Sequence, residues 1–351
     1  NKVQVRLGIK NRRDIENYGL EKFTQASYEY VSDISAEWRW YIDKIGRWVD
    51  MENAYKTIDS SYMESVMWAF KKLYEKGLIY EGIRTSLYCP TCGTPVSNFE
   101  ISMDNTYRDE EDPALTVKFK IISEGKFKDK FILAWTTTPW TLPSNSALVV
   151  DEETTYVIVE INDEFIIFSN DLIDTVCEGE EFKVIETVSG KELIGLNYEP
   201  LFDIFNSGEN DFKIYSYPGM VNSTEGVGVV HSAPGFGEID SEMGQHFNLT
   251  ARFTVDDEGK FKKGSKNDNP YEGMYYLKAN KKIIEDLENR GVIFKNEKIT
   301  HRVPFHDRCN TLLILKAQNA WFLDVKSLKP RLLETNENIN WVPSSLKHGR
   351  F

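Results

Sequence analysis

One short stretch, Trp135-Thr136-Thr137-Thr138-Pro139-Trp140-Thr141-Leu142-Pro143-Ser144-Asn145, constrains this chain more than any other. It follows Lys130-Phe131-Ile132-Leu133-Ala134, which reads as a short buried strand, and Pro139 and Pro143 stop any regular element from continuing. The chain therefore leaves a sheet here with three adjacent threonine hydroxyls at the break. Each hydroxyl both donates and accepts, so together with backbone amides freed by the prolines they can bind an ester, a ribose or a water. The same hydroxyls can instead satisfy local backbone at a strand end.

On either side of this break the patterning changes twice. Residues 1 to about 88 read mainly helical. Ser61-Tyr62-Met63-Glu64 has the capping-box pattern, and Met63, Val66, Met67, Phe70, Leu73 and Tyr74 follow at helical spacing until Gly77. Trp38, Trp40, Tyr41, Ile45 and Trp48 are expected to be core. From about 107 to 232 short strands alternate with Gly and Pro turns. One pair, 156–160 and 165–168, flanks Asn162-Asp163 as a hairpin, and 182–185 and 212–215 continue the series. Many short strands of this kind predict a barrel-like β domain. Helices are expected at 238–246 and 280–289, the second with Ile283, Ile284 and Leu287 inward, and residues 256–272 read as a polar loop without a core.

With 351 residues, 41% of them hydrophobic, the chain can hold two domains. No run reaches the ~18 apolar residues of a membrane span and the N-terminus lacks a signal-peptide core, so the expectation is a cytoplasmic monomer with no membrane partner. Both ends read as cut from a longer protein. A net charge of −13 argues against a general nucleic-acid surface, so such a partner requires local basic patches. Lys118, Lys120, Lys126, Lys128 and Lys130 form one candidate, Lys260, Lys262, Lys263 and Lys266 another; each is equally well a solvated face. Of the four cysteines, Cys89 and Cys92 have the spacing of a metal knuckle or a redox pair.

A second stretch, Gly226-Val227-Gly228-Val229-Val230-His231-Ser232-Ala233-Pro234-Gly235-Phe236-Gly237-Glu238-Ile239-Asp240, follows the threonines, and together the two resemble the signatures of the editing domain of isoleucyl-tRNA synthetases. The valyl and leucyl branches are expected to carry Arg-Pro after the threonines where this chain has Thr138-Pro139-Trp140. Residues 46–57 and 77–82, with Ala320-Trp321-Phe322 and Asn340-Trp341-Val342-Pro343, resemble the same family's nucleotide-binding part, so the likeness covers nearly the whole chain. It implies a mixed α+β and α/β fold, in which a β-barrel-like editing domain at 107–296 is inserted into a partial Rossmann-type nucleotide-binding fold. Residues 1–106 and 297–351 would belong to that catalytic fold, each carrying half of a zinc site.

One methylene in an apolar pocket is worth only ~1–3 kcal/mol, the established figure for this enzyme family, so isoleucine and valine cannot be separated by binding alone. The resemblance implies that this chain carries the second sieve, which hydrolyses mischarged valyl-tRNA of the isoleucine type. Asp240 matches the acid that pairs with the α-ammonium of the aminoacyl group. His231 matches the residue whose ring blocks the extra methylene of isoleucine; its use as general base is the second choice. Thr136, Thr137 and Thr138 match the hydroxyls around the terminal adenosine and ester, Asn145 is a hydrogen-bonding partner there, and Trp140 packs behind them or against the ligand. Hydrolysis would rest on a positioned water. Ile239 departs from the family, which usually has an acid at that position.

Cys89 and Cys92 match a family knuckle whose second half reads His306-Asp307-Arg308-Cys309, with histidine in place of the first cysteine. Cys₃His is a common structural zinc set, so Cys89, Cys92, His306 and Cys309 are expected to hold Zn2+. The family's His-x-Gly-His and Lys-Met-Ser-Lys-Ser type motifs, which bind ATP and Mg2+ in the intact ligase, do not occur in these residues. Two rivals stay open: an editing fragment of a valyl or leucyl enzyme, and a zinc-stapled tRNA-binding module with an inert pocket.

Overall fold

The structure is a computed structural model and describes residues 2–10, 12–103, 106–222 and 226–349; the side chain of His348 lies outside what it describes. The chain divides into two compact units, residues 1–84 with 318–351, and residues 85–317. None of the described helices is long and apolar enough to cross a membrane.

The first unit carries helices α1 (Lys2–Leu7), α2 (Arg12–Tyr18), α3 (Leu20–Lys44) and α4 (Ser60–Glu75). Helix α4 starts after Asp59 with no side-chain cap, so the capping box read at Ser61 is not formed. Gly77 ends it as expected, at φ 70°, where only glycine is free of strain. The expectation of an aromatic core here is corrected: Trp38, Trp40 and Trp48 are 54%, 66% and 95% exposed. Neither α3 nor α4 has a buried residue, because within this unit no layer covers their apolar faces among the described residues. Trp321 meets the α4 stripe edge-on at Phe70 and Tyr74.

Strand β1 (Ile79–Cys89) runs into the second unit and turns into β2 (Thr94–Pro95) and the short helix α5 (Asn98–Ile101), which Ser97 and Glu100 close with a capping box. Then come β3 (Tyr107–Lys120), β4 (Phe131–Thr136), β5 (Ala147–Val149), and the hairpin β6 (Thr155–Ile161) and β7 (Glu164–Ser169). The hairpin turns on Asn162 and Asp163, both at positive φ, as a two-residue loop with the twist of its strands requires. Helix α6 (Ile173–Val176), β8 (Lys183–Ser189), α7 (Gly190–Leu193), β9 (Lys213–Tyr215) and β10 (Val230–Ser232) follow. The chain continues through α8 (Glu238–His246), α9 (Tyr276–Asn289), β11 (Ile293–Pro304), β12 (Ile314–Leu323), α10 (Val325–Glu337) and α11 (Leu346–Gly349).

Nine strands form one curled, barrel-like mixed sheet in the order β8-β6-β7-β4-β10-β5-β9, with β3 on β4 and β11 on β3. Strand β4 is central and runs parallel to both β7 and β10, which explains its uninterrupted apolar sequence. Helix α9 begins four residues earlier than the expected 280 and buries Tyr276, Ala279, Ile283 and Leu287 at helical spacing. The segment 256–272 is not coreless: Phe261 and Tyr271 are both buried in the main core, and bridges at Phe261 and Lys260 tie the loop to Val255 and Tyr275.

Candidate functional site

Strand β4 ends at Thr136, and the prolines then fold residues Pro139–Ser144 into a buried 3₁₀ turn. Trp140 sits edge-on to Phe236 and Tyr276, each ring centroid 4.9 Å away, and so fastens this turn onto α9. With 5% of its surface exposed, Trp140 packs behind the threonines.

The three threonines do not form one cluster. Thr136 and Thr138 are joined, Oγ1 to Oγ1 at 3.3 Å, and the Thr138 amide donates to Thr136 Oγ1. Thr137 instead lines a cavity of about 560 Å³ with Trp135, Thr116, Phe294, Lys295 and His301. Successive side chains at a strand end point to opposite sides, so adjacent hydroxyls in sequence serve different spaces.

The second signature comes to the first through the sheet. Strand β10 pairs with β5, placing His231 opposite Leu148, and His231 lies within hydrogen-bond reach of the middle of the turn and of the residue that follows it. Its Nε2 is 3.0 Å from Thr141 Oγ1 and its Nδ1 is 2.9 Å from Asn145 Nδ2. Asn145 Nδ2 also donates to the Ala147 carbonyl, and its Oδ1 accepts from the Tyr198 phenol at 2.6 Å. Asn145 directs both ends of its amide to protein partners, Nδ2 to Ala147 and His231 and Oδ1 to Tyr198. His231 has both ring nitrogens in hydrogen bonds, and burial pushes its pKa down to about 4, so it is a neutral ring held on both sides.

Asp240 stands in the first turn of α8, where its Oδ1 accepts from the Ala233 amide at 2.8 Å. Burial raises its carboxyl above the ordinary value, and the Ala233 amide opposes that. The carboxyl crowds the helix start so closely that a Cβ on Gly237 would meet Oδ2 at 2.0 Å, which accounts for glycine there. Ile239 beside it is exposed, so the missing acid leaves no buried gap.

Residues outside both signatures hold this arrangement. Arg252 donates to the Asn145 carbonyl and to Ser146 Oγ, and pairs with Asp211 at 2.6 Å with both side chains buried. Asp211 also accepts from the Thr250 and Gly208 amides. No local motif marks Tyr198, Arg252 or Asp211, since the contacts that tie them to the site, Tyr198 to Asn145, Arg252 to Asn145 and Asp211 to Arg252, span long stretches of chain.

The four expected metal ligands converge. Cys89, Cys92, His306 and Cys309 each present one donor atom, all within 4.8 Å of one another. Cys89 Sγ is 3.4 Å from Cys309 Sγ, Cys309 Sγ is 3.4 Å from His306 Nδ1, and the Cys92 amide donates to Cys89 Sγ. His306 Nε2 faces Asp307 at 3.8 Å, the outward carboxylate that ligating histidines usually have. The donor set and its compactness suit a tetrahedral divalent ion of zinc type.

The lysine groups are largely neutralised. Lys118 pairs with Glu164, Lys120 with Asp129, Lys126 with Glu192 and Lys128 with Glu124, while Lys260 and Lys266 pair with Glu258 and Asp203. Lys118 is buried, and the other lysines of these pairs lie on exposed faces.

The family model of tRNA synthetases class I (I, L, M and V) matches residues 1–351. The chain belongs to the class I tRNA synthetases. Among relatives of this class I chain, the isoleucine–tRNA ligase of Clostridium novyi (strain NT) is 41% identical over 349 residues, 99% of this chain and 33% of that protein. The isoleucine–tRNA ligase of Rickettsia peacockii (strain Rustic) is 42% identical over 355 residues, 98% of this chain and 32% of that protein. The chain thus spans about a third of the length of the curated relatives it matches. The crystal structure of the P. knowlesi cytosolic leucyl-tRNA synthetase editing domain covers 57% of this class I chain and 100% of its own, at 12% identity and a TM-score of 0.38.

Proposed function

We propose that this chain is the editing portion of an isoleucine-type ligase, and that residues 107–296, within the compact unit 85–317, hydrolyse valyl esters on isoleucine-type tRNA. The observation that carries the reading is the meeting of Thr141 with His231, 90 residues apart in sequence, which joins the two signatures at one place. There the Asp240 carboxylate would hold the α-ammonium of the aminoacyl group, a charge-assisted contact in a half-buried setting. Thr136 and Thr138 would orient the ester and a water that attacks its carbonyl, expelling the ribose hydroxyl. Thr137, turned to the neighbouring cavity, would contact the terminal nucleoside. The buried face of His231 would leave no room for the extra methylene of isoleucine. Trp140 and Asn145 support these groups. The intact protein, with ATP and Mg2+, would charge the tRNA in the cytoplasm.

Deacylation of valyl- and isoleucyl-tRNA tests this reading. Loss of valine with isoleucine spared is expected, and Asp240→Ala should slow the valyl reaction roughly ten- to a hundredfold. Release of both at one rate, or an unaffected Asp240→Ala, defeats it. Inertness of this chain together with the full-length protein would favour the tRNA-binding module.

The cysteine and histidine quartet would hold Zn2+ through thiolates of Cys89, Cys92 and Cys309 and Nδ1 of His306. A bound cation would keep those thiols deprotonated, which burial alone opposes at Cys89. It would clasp the end of β1 to the turn after β11, closing the base of the unit. Elemental analysis should find about one equivalent of zinc, lost on Cys89→Ser together with protection of amides 86–96 from exchange. Metal-free protein with unchanged protection would disprove it.

A further inference from the structure

The buried chain around His231 is matched donor to acceptor at every step. The Ala147 carbonyl can only accept, so the Asn145 atom 2.9 Å from it must be the amide NH2. The same NH2 lies 2.9 Å from His231 Nδ1, which must then accept and carry no proton. A neutral ring therefore has its proton on Nε2, aimed at Thr141 Oγ1, whose own proton goes to the Thr138 carbonyl at 2.8 Å. The remaining Asn145 oxygen takes the phenol of Tyr198, a residue only 1% exposed. Turning the imidazole over would set carbon atoms against Asn145 and Thr141, so that one Asn145 N–H and both ring nitrogens lose their partners. Each buried polar group so orphaned costs about 1–3 kcal/mol.

We propose that Thr141 and Tyr198 are positioning residues which hold His231 as a single Nε2–H tautomer in a single ring orientation, and that this lock sets the size limit of the ester site. The size-limit half rests on the editing reading; the tautomer half stands on the hydrogen-bond geometry alone. The Nδ1 lone pair is consumed by Asn145 and the Nε2 proton by Thr141, so His231 takes no proton from water. It acts by shape, and its shape is fixed from behind. Tyr198 enters because it holds the Asn145 oxygen; without the phenol only the Ala147 carbonyl anchors the amide, which is then free to swing its NH2 away from Nδ1 and release the ring from one tautomer.

The test has two arms. Long-range nitrogen–proton correlation spectra of the imidazoles, with His231→Gln for assignment, should show one Nε2–H pattern for His231. Thr141→Val and Tyr198→Phe should each abolish that single pattern, whereas Thr141→Ser should restore it. In deacylation, the same two variants should raise the isoleucyl rate relative to the valyl rate roughly five- to tenfold, the effect of one lost hydrogen bond, with Thr141→Ser near the parent. An Nδ1–H pattern in the parent chain overturns the lock. So do variants that change neither spectrum nor ratio, and should Thr141→Val not fold, Tyr198→Phe decides. If the parent hydrolyses neither ester, the size-limit half falls with the editing reading, and the spectra still decide the tautomer.

Discussion

Replacing Arg252 by methionine is expected to lower the stability of the 85–317 unit by about 3–5 kcal/mol, the usual result of breaking a buried charge pair from one side. Arg252 and Asp211 are 2.6 Å apart, with side chains 3% and 0% exposed, so water cannot replace the lost partner. Methionine fills much of the volume but returns none of the hydrogen bonds to Asn145, Ser146 and Asn206. The double variant with Asp211→Asn should recover part of the loss, because the uncompensated carboxylate is the largest component. Its two backbone donors, at Thr250 and Gly208, only partly offset that charge. Urea unfolding of parent, single and double variants gives the coupling directly. A single variant within about 1 kcal/mol of the parent would show that the pair carries little. The pair also grips the turn that bears Asn145, so loosening it should reach His231 as well.

What could be read in advance follows from how local each signal is. The hairpin at Asn162-Asp163, helix Glu238–His246 and the stop at Gly77 depend on neighbouring residues alone, and all stand where the sequence put them. In the Cys89, Cys92, His306 and Cys309 set, spacing alone marked the first pair, and the family resemblance supplied the second, 220 residues away. The strand Ile293–Pro304 was missed: it is polar on its exposed side, and its register on Tyr107–Lys120 is a property of the pair. Tyr198 and Arg252 were invisible for the same reason, as ordinary residue types that gain their meaning from partners 53 and 107 positions away. The tryptophans of the first unit fail differently. Amphipathic spacing shows that a face wants cover, and Trp38, Trp40 and Trp48 show that it cannot say whether this chain supplies it.

Stability should fall as pH drops through the range set by His231. Its pKa is held down to about 4 by burial, against about 6.5 for the unfolded chain. The folded protein therefore binds this proton more weakly than the unfolded one. Above pH ~6.5 the ring is neutral in both states and its contribution is fully present; between ~6.5 and ~4 only the unfolded state gains the proton, and stability is lost at up to about 1.4 kcal/mol per pH unit. Between about pH 7.5 and about pH 5 this amounts to roughly 2 kcal/mol, rising to about 3 kcal/mol near pH 4. Asp240, whose carboxyl burial has raised, works in the opposite sense at the acid end, since its folded form keeps a proton the unfolded form releases. Urea midpoints for the parent and His231→Gln across that range separate the two, because the variant keeps Asp240 and loses only the imidazole. The variant should be less stable at neutral pH yet lose less on acidification. Parallel curves would mean that His231 titrates normally and that its ring is open to water, which would undo the occupied, neutral histidine on which the site's shape depends.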